Sequence, residues 1–233
     1  MIYSNEFGTV NFFDEYPELY SKKNIGINLS GGVDSAFLLF ILCKKIKTNN
    51  LNIKIIPITG VDYERPLNIF HARTIVKLFE KKFKMNNVFE KHEEFWYRKD
   101  NEKDKSRHHQ EHEIKLFNDK RIDLILHGRT SNPPYDIALS NNLVNKRELT
   151  RDIDVKKEVF NDKKTWYAPF LNVAKRFIAK EYEKHDLMGD LFPITASCIS
   201  KFHETNIFKE PCKKCWWCRE KKWAFNLYDG STK

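Results

Sequence analysis

The stretch Ser30-Gly31-Gly32-Val33-Asp34-Ser35 constrains this chain more than any other. Before it, Ile25, Ile27 and Leu29 form a short apolar run of strand character; after it, Ala36 to Ile46 read as a helix. A strand, a tight glycine turn and a helix start make a unit that lets backbone approach an anion. The glycines allow dihedrals and close contacts that a Cβ forbids. The new helix offers its free N–H groups and the positive end of its dipole to whatever lies in the turn. Ser30 and Ser35 add hydroxyl donors, and Asp34 is placed to take a magnesium ion or to position a nucleotide. Phosphate is the natural ligand. A Walker A loop is excluded, because no Gly-Lys-Ser/Thr closes the turn. The dinucleotide fingerprint is excluded too, because its third glycine is missing.

Beyond this unit, extended pieces alternate with helical ones. Asn52 to Thr59 reads as a second strand broken by Gly60, and Pro66 to Lys84 as a helix with Ile69, Ala72, Ile75, Val76, Phe79 and Phe83 at helical spacing. Asn87 to Lys91 is a weaker strand candidate and Ile122 to His127 a clear buried one, ended by Gly128. Thr165 to Phe170 is extended, and Val173 to Lys184 helical. Such alternation implies an α/β fold, a doubly wound and mostly parallel sheet. The expected division is a main domain over 1–190, with 1–24 as an aromatic lead-in beside the first strand, and a C-terminal segment over 191–233. Ligands of such sheets bind beyond the carboxyl ends of the strands, where strand order reverses. That gathers Ser30–Ser35, Gly60–Asp62 and Gly128–Tyr135 around one crevice. Asp62, or its backbone, is thereby a candidate contact for the nucleoside of a bound nucleotide, against the plain alternative of a solvated turn acid.

Two stretches carry less. Residues 98–113 mix both charge signs with His108, His109 and His112; a solvated helix start suits them better than a metal pair, since no third ligand is evident. Residues 133–164 are polar and poorly periodic and read as a long loop or lid over the crevice.

No apolar run approaches the ~20 residues of a membrane span, and Met1-Ile2-Tyr3-Ser4-Asn5-Glu6 lacks the basic start and apolar stretch of a signal peptide, so the expected location is cytoplasmic. The chain carries 41 Lys+Arg against 32 Asp+Glu, a net +9. That suits an anionic substrate or nucleic acid without selecting either. Five cysteines in a cytoplasmic chain point to metal rather than disulfides. Cys43 lies on an apolar helical face with Phe40 and Ile46 and suits the core. The other four, Cys198 and Cys212-x-x-Cys215-x-x-Cys218, have the spacing of a closed tetrahedral zinc site with a structural role. A cubane iron–sulfur cluster accepts the same spacing. Trp216 and Trp217, inside this knuckle, suit shielding or docking it.

Ser30–Ser35 resembles the Ser-Gly-Gly-x-Asp-Ser signature of the PP-loop (N-type) ATP pyrophosphatases, whose fold is Rossmann-like and HUP-like. Thr195-x-Ser197-Cys198, the three later cysteines, Ala224-Phe225 and Pro169-Phe170-x-x-x-x-Lys175 resemble the corresponding segments of 7-cyano-7-deazaguanine (preQ0) synthases within that superfamily. The resemblance implies cleavage of ATP to AMP and pyrophosphate, and conversion of 7-carboxy-7-deazaguanine and ammonia to the nitrile preQ0. It implies Mg²⁺, a four-cysteine Zn²⁺ site and often a homodimer. By the same resemblance Ser30, Gly31, Gly32, Val33 and Ser35 hold the pyrophosphate, Asp34 supports Mg²⁺, and Lys175 neutralises charge on the phosphates or the acyl-adenylate. Where the family has Tyr-Pro-Asp-Cys-Arg this chain has Gly128-Arg129-Thr130-Ser131-Asn132-Pro133-Pro134-Tyr135-Asp136. The acceptor is therefore either the family's own or another heterocycle, and Arg129 is a candidate for its carboxylate. Two other classes compete. One is a PP-loop tRNA-modifying enzyme, such as a lysidine-type synthetase or a thiolase; a thiolase normally needs persulfide or cluster cysteines near the loop, which lone Cys43 does not supply. The other is a non-enzymatic nucleic-acid-binding zinc module.

Overall fold

The computed structural model describes residues 1–14, 16–98, 102–136, 151–152, 161, 165–207 and 209–230. Among these, five parallel strands build the sheet: β3 (Asn24–Asn28), β4 (Lys54–Asp62), β5 (Glu93–Tyr97), β6 (Leu124–His127) and β7 (Trp166–Tyr167). An antiparallel hairpin of β1 (Ile2–Asn5) and β2 (Gly8–Asn11) precedes them. Helices α1 (Val33–Asn49), α2 (Leu67–Phe83), α3 (Glu102–Asn118), α4 (Lys175–Lys184) and α5 (Trp216–Phe225) complete the order.

The strands lie side by side as β5-β4-β3-β6-β7. From β3 the chain moves outward through α1, β4 and α2 to β5, then returns through α3 to β6 on the other side of β3. Strand order thus reverses between β3 and β6, whose last residues, Asn28 and His127, are paired in register. The expected α/β, doubly wound, parallel architecture is what the sheet shows.

The pleat sends Ile25 and Ile27 of β3 and Leu124 and Leu126 of β6 into the larger core with α1, α2 and α4, while Ile56, Ile58 and Ile125 meet Leu116 of α3 on the opposite face. Helix α1 is buried at every position from Ala36 to Cys43, Cys43 included. A helix apolar on all sides needs neighbours on all sides, and α2, α4, the hairpin and the sheet supply them. The hairpin docks on α4 and β7. Asn5 Nδ2 donates to Glu181 Oε1 at 2.9 Å, and Phe12 and Phe13 pack around Tyr167. The C-terminal segment closes the same core, with Phe225 edge-on to Tyr182 at 5.3 Å.

Three expectations change. Gly60 does not break the second strand: β4 runs on to Asp62 because β5 keeps pairing with it, Gly60 opposite Phe95. The strand expected at Asn87–Lys91 contributes only an isolated bridge, Phe89 to Ile55, and the edge strand proper is Glu93–Tyr97. The charged stretch 98–113 is not a fully solvated face, since His109 and His112 of α3 pack on Phe95 at 4.7 and 4.6 Å. Of the expected loop over 133–164, residues 137–150, 153–160 and 162–164 lie outside the described ones. No helix of the described residues is long and apolar enough to cross a membrane.

Phe37 is fully buried, with the rings of Tyr3, Phe40, Phe170 and Tyr182 all about it. Phe37→Ala is expected to lower stability by about 3–5 kcal/mol in a denaturant titration, the cost of a large buried cavity.

Candidate functional site

After β3, Leu29 still donates to the Ile58 carbonyl at 2.8 Å, and the chain then turns at Ser30–Gly32 into α1, with Gly32 as N-cap. Gly31 has φ +82°, and a Cβ there would lie 2.8 Å from the Asn68 carbonyl oxygen and 2.9 Å from His71 Cβ. Both the dihedral and the space demand glycine. Ser35 Oγ braces the turn, accepting from Ser30 N at 3.2 Å and donating to the Gly32 carbonyl at 3.2 Å. The Ser30 hydroxyl lies 3.1 Å from that of Ser35 and takes the Gly32 N–H at 3.3 Å. The two serines therefore shape the turn first. The opening N–H groups of α1 have no partner within the helix. From the other side of the switch point Gly128 touches the first turn of α1, where a Cβ would sit 2.8 Å from Ser35 N.

Lys175 opens α4 with its ammonium in the protein interior, 2% exposed. It lies 3.1 Å from Asp34 Oδ2 and donates to Glu220 Oε2 at 2.6 Å. Arg151 reaches Glu220 Oε1 at 3.5 Å, and the Trp217 ring lies under both cations, 5.6 Å from Lys175 Nζ and 5.4 Å from the Arg151 guanidinium. Burial alone would discharge Lys175, but Asp34 and Glu220 outweigh it and hold its pKa above the ordinary value. Burial pushes the Asp34 carboxyl up, with Lys175 pulling against it and Glu220 adding to the rise. Asp34 Oδ1 is buried and has no hydrogen-bond partner among the described residues. An orphaned carboxylate oxygen at a helix N-terminus suits a hard cation such as Mg²⁺.

The four cysteine sulfurs converge to within 4.8 Å of one another. Cys212 and Cys218 Sγ are 3.9 Å apart, near the ~3.8 Å edge of a tetrahedron with the usual Zn–S length. Backbone N–H groups of Cys212, Lys214 and Cys215 point at the sulfurs at 3.3–3.4 Å. Hydrogen bonds from Cys215 and Cys218 hold the Cys198 thiol far below its ordinary value. The group is thus placed to hold a metal ion. Asp229 fixes the Cys198 loop: its Oδ2 accepts the N–H groups of Ser197 and Cys198, both at 2.8 Å, and its Oδ1 accepts Lys221 Nζ at 2.5 Å. Trp216 is buried in the knuckle, and Trp217 walls the Lys175 cluster.

A cavity of about 820 Å³ joins these parts. Ser30, Gly32, Asp34, Asp62, Arg129, Lys175 and Cys198 all line it, while the other three cysteines do not. Gly31, Val33 and Ser35 are buried behind its wall. The Asp62 carboxylate is engaged locally, accepting Arg65 Nη2 at 2.9 Å and Glu64 N at 2.9 Å. His108 and His112 belong to aromatic contacts with Tyr97 and Phe95; among the described residues only the cysteines gather as three or more potential metal ligands. Sequence reasoning missed Glu220, Trp217 as a wall of the site, Asp229 and Lys221, none of which stands in a motif of its own.

No protein-family model matches the chain, and no curated protein is significantly similar to it. Among solved structures it is similar to the U34-tRNA thiolase NcsA from Methanococcus maripaludis with its four-iron four-sulfur cluster, at 13% identity and a TM-score of 0.46. The match covers 87% of this chain and 64% of the other, so this chain spans less than two thirds of the thiolase's length. Similarity at that level says nothing about chemistry.

One metal ion per chain is expected at the four cysteines, measured by elemental analysis of purified protein. Cys212→Ser should lose most of it. Metal binding to such sites contributes on the order of 10 kcal/mol to the folding of small zinc peptides. In a chain with its own core the loss should appear as faster proteolysis confined to residues 195–230.

Proposed function

We propose that the protein is an ATP-dependent adenylating ligase of the PP-loop type, releasing AMP and pyrophosphate, and that its acceptor is 7-carboxy-7-deazaguanine or a close heterocyclic analogue. The observation that carries this is the meeting of Asp34 and Lys175, 3.1 Å apart, at the N-terminus of α1 in a cavity that Arg129 also lines. The opening N–H groups of α1 and the Lys175 ammonium hold the pyrophosphate portion of ATP. Asp34, whose Oδ1 has no hydrogen-bond partner among the described residues, would hold Mg²⁺, and the ion would supply charge screening on the phosphates. Lys175, Arg151, Asp34 and Glu220 together are neutral. The cluster therefore orients charge rather than attracting a triphosphate by itself, and Lys175 is fixed where negative charge develops on the leaving pyrophosphate.

Arg129 takes the acceptor's carboxylate, one oxygen of which attacks the α-phosphorus while pyrophosphate leaves. Ammonia then displaces AMP to give the amide. A nitrile retains neither oxygen, so the amide oxygen is activated and lost in the same way, with a second ATP. Cys198, Cys212, Cys215 and Cys218 would hold an ion that we read as zinc, and it would supply a structural tie for the Cys198 loop beside the cavity. The main domain over 1–190 then carries the chemistry, and the segment from 191 onward supplies Glu220 and Trp217.

Incubation with ATP, Mg²⁺, ammonium and 7-carboxy-7-deazaguanine is expected to yield AMP, pyrophosphate and the nitrile by mass. ADP and phosphate as the main products would overturn the reading. Asp34→Ala should cut AMP release by at least about a hundredfold with the fold intact by circular dichroism. Glu220→Gln, which removes one of the two carboxylates on Lys175, should slow it by about tenfold or more with ATP affinity little changed.

A further inference from the structure

The same cavity is lined by a group of side chains that the phosphate chemistry does not use. Asn28 and His127, register partners on β3 and β6, point to the face covered by α3, from which Glu113 meets them. Asn28 Nδ2 donates to Glu113 Oε1 at 2.7 Å and lies 3.0 Å from His127 Nδ1. His127 packs on Trp166, ring centroids 5.3 Å apart. All four line the cavity.

Glu113 is a mostly buried carboxylate, 15% exposed, without a cation. Asp34 and Glu220 have Lys175, Asp62 has Arg65 and Glu181 has His185, but among the described residues no lysine or arginine pairs with Glu113. Among the described residues its ion-pair contact is His127 at 3.7 Å, whose pKa burial pushes down to about 3, helped by His109 and Arg129. That ring is neutral near pH 7 and brings no charge. Burial pushes the Glu113 carboxyl up, and only the Asn28 hydrogen bond pulls against it. Asn28 Oδ1 is also buried, with no hydrogen-bond partner among the described residues. A buried acid and a buried amide oxygen, both short of donors, are costly unless a ligand supplies them. A phosphate cannot, because it brings negative charge and acceptors.

We propose that Glu113, supported by Asn28, is the specificity-determining residue of the acceptor subsite, and that it reads a planar heterocycle through two adjacent N–H donors of a 2-amino-6-oxo-pyrimidine edge. This rests on the ligase reading for the identity of the cavity. A carboxylate's two oxygens match the ring N–H and the exocyclic amino group side by side, a bidentate charge-assisted pair. Adenine does not fit the same group: its amino donor sits beside a ring nitrogen whose lone pair would face the carboxylate. Trp166 and neutral His127 supply the flat apolar surface that such rings stack on. Arg129, two residues past His127, also lines the cavity and is the candidate for the acid group at the other end of the molecule.

The test is calorimetric titration of the full chain with 7-carboxy-7-deazaguanine, guanine, hypoxanthine and Mg²⁺·ATP. Wild type is expected to bind the two 2-amino bases at least about tenfold tighter than hypoxanthine, which lacks the amino group. Glu113→Gln should erase that preference and leave ATP affinity within about twofold. Glu113→Asp, which keeps the charge with a shorter reach, should retain part of the preference. Weaker ATP binding in Glu113→Gln with bases unaffected would put Glu113 at the adenine and overturn the proposal. Equal weakening of every ligand would show a structural role, and wild type that binds no base or makes no distinction would also overturn it. AMP release reports separately: base preference without AMP formation sinks the ligase reading alone, and AMP formation without base preference sinks this one alone.

Discussion

The buried ammonium of Lys175 is the contact on which the site depends. Removing a lysine and two carboxylates from water costs several kcal/mol per ion, which only close pairing recovers, and breaking such a pair leaves an uncompensated charge worth about 3–5 kcal/mol. The three partners come from the starts of α1 and α4 and from α5, at positions 34, 175 and 220. None of the three elements can shift without exposing the others to that penalty. The cluster therefore fixes the turn, the α4 N-terminus and the cysteine segment relative to one another. Tyr182 adds a neutral tie, donating to the Val33 carbonyl at 2.9 Å.

The reversal of strand order between β3 and β6 then decides what surrounds the cluster. On one face the turn delivers the N-terminus of α1. On the other, the same two strands end in Asn28 and His127, which the pleat turns toward α3. One crevice is thus lined both by the first turn of α1 with Lys175 and by Asn28, His127 and Glu113. Gly128 lets the walls approach, because nothing larger fits against the first turn of α1.

The parts legible in the sequence are those whose chemistry is local. The turn at 30–35 and the cysteines at 212–218 depend on spacing within a few residues, and alternating strand and helix patterns suffice for a parallel sheet. Lys175 was visible only through a resemblance. Glu220 and Glu113 are ordinary acids in charged helical stretches, and only the packing of α5 on α4 and of α3 on the sheet makes them buried. Helix α3 hid its inner face because His109, His112 and Glu113 replace the apolar residues that periodicity looks for. The edge strand was misplaced for a related reason. Glu93-Glu94-Phe95-Trp96-Tyr97 has weak alternation and an exposed Trp96, while Asn87–Lys91 has the better pattern but meets Ile55 only through Phe89.

The net charge of +9 explains little of this. What shapes the cavity is how paired and unpaired charges are distributed along it. Around Lys175 two cations face two anions, so an arriving phosphate finds oriented donors but no excess charge, and a cation at Asp34 Oδ1 would tip the balance toward attraction. Around Glu113 the balance is tipped the other way, with one acid, a neutral imidazole and an amide oxygen that no described residue satisfies. A molecule that lay along this gradient in the reverse sense would bring phosphate to a carboxylate and N–H donors to an ammonium, and both ends would repel it. On the proposed function the arrangement would select orientation as well as ligand. An acid-bearing heterocycle whose N–H edge met Glu113 would then present its opposite side to the turn where the proposed attack on the α-phosphorus takes place.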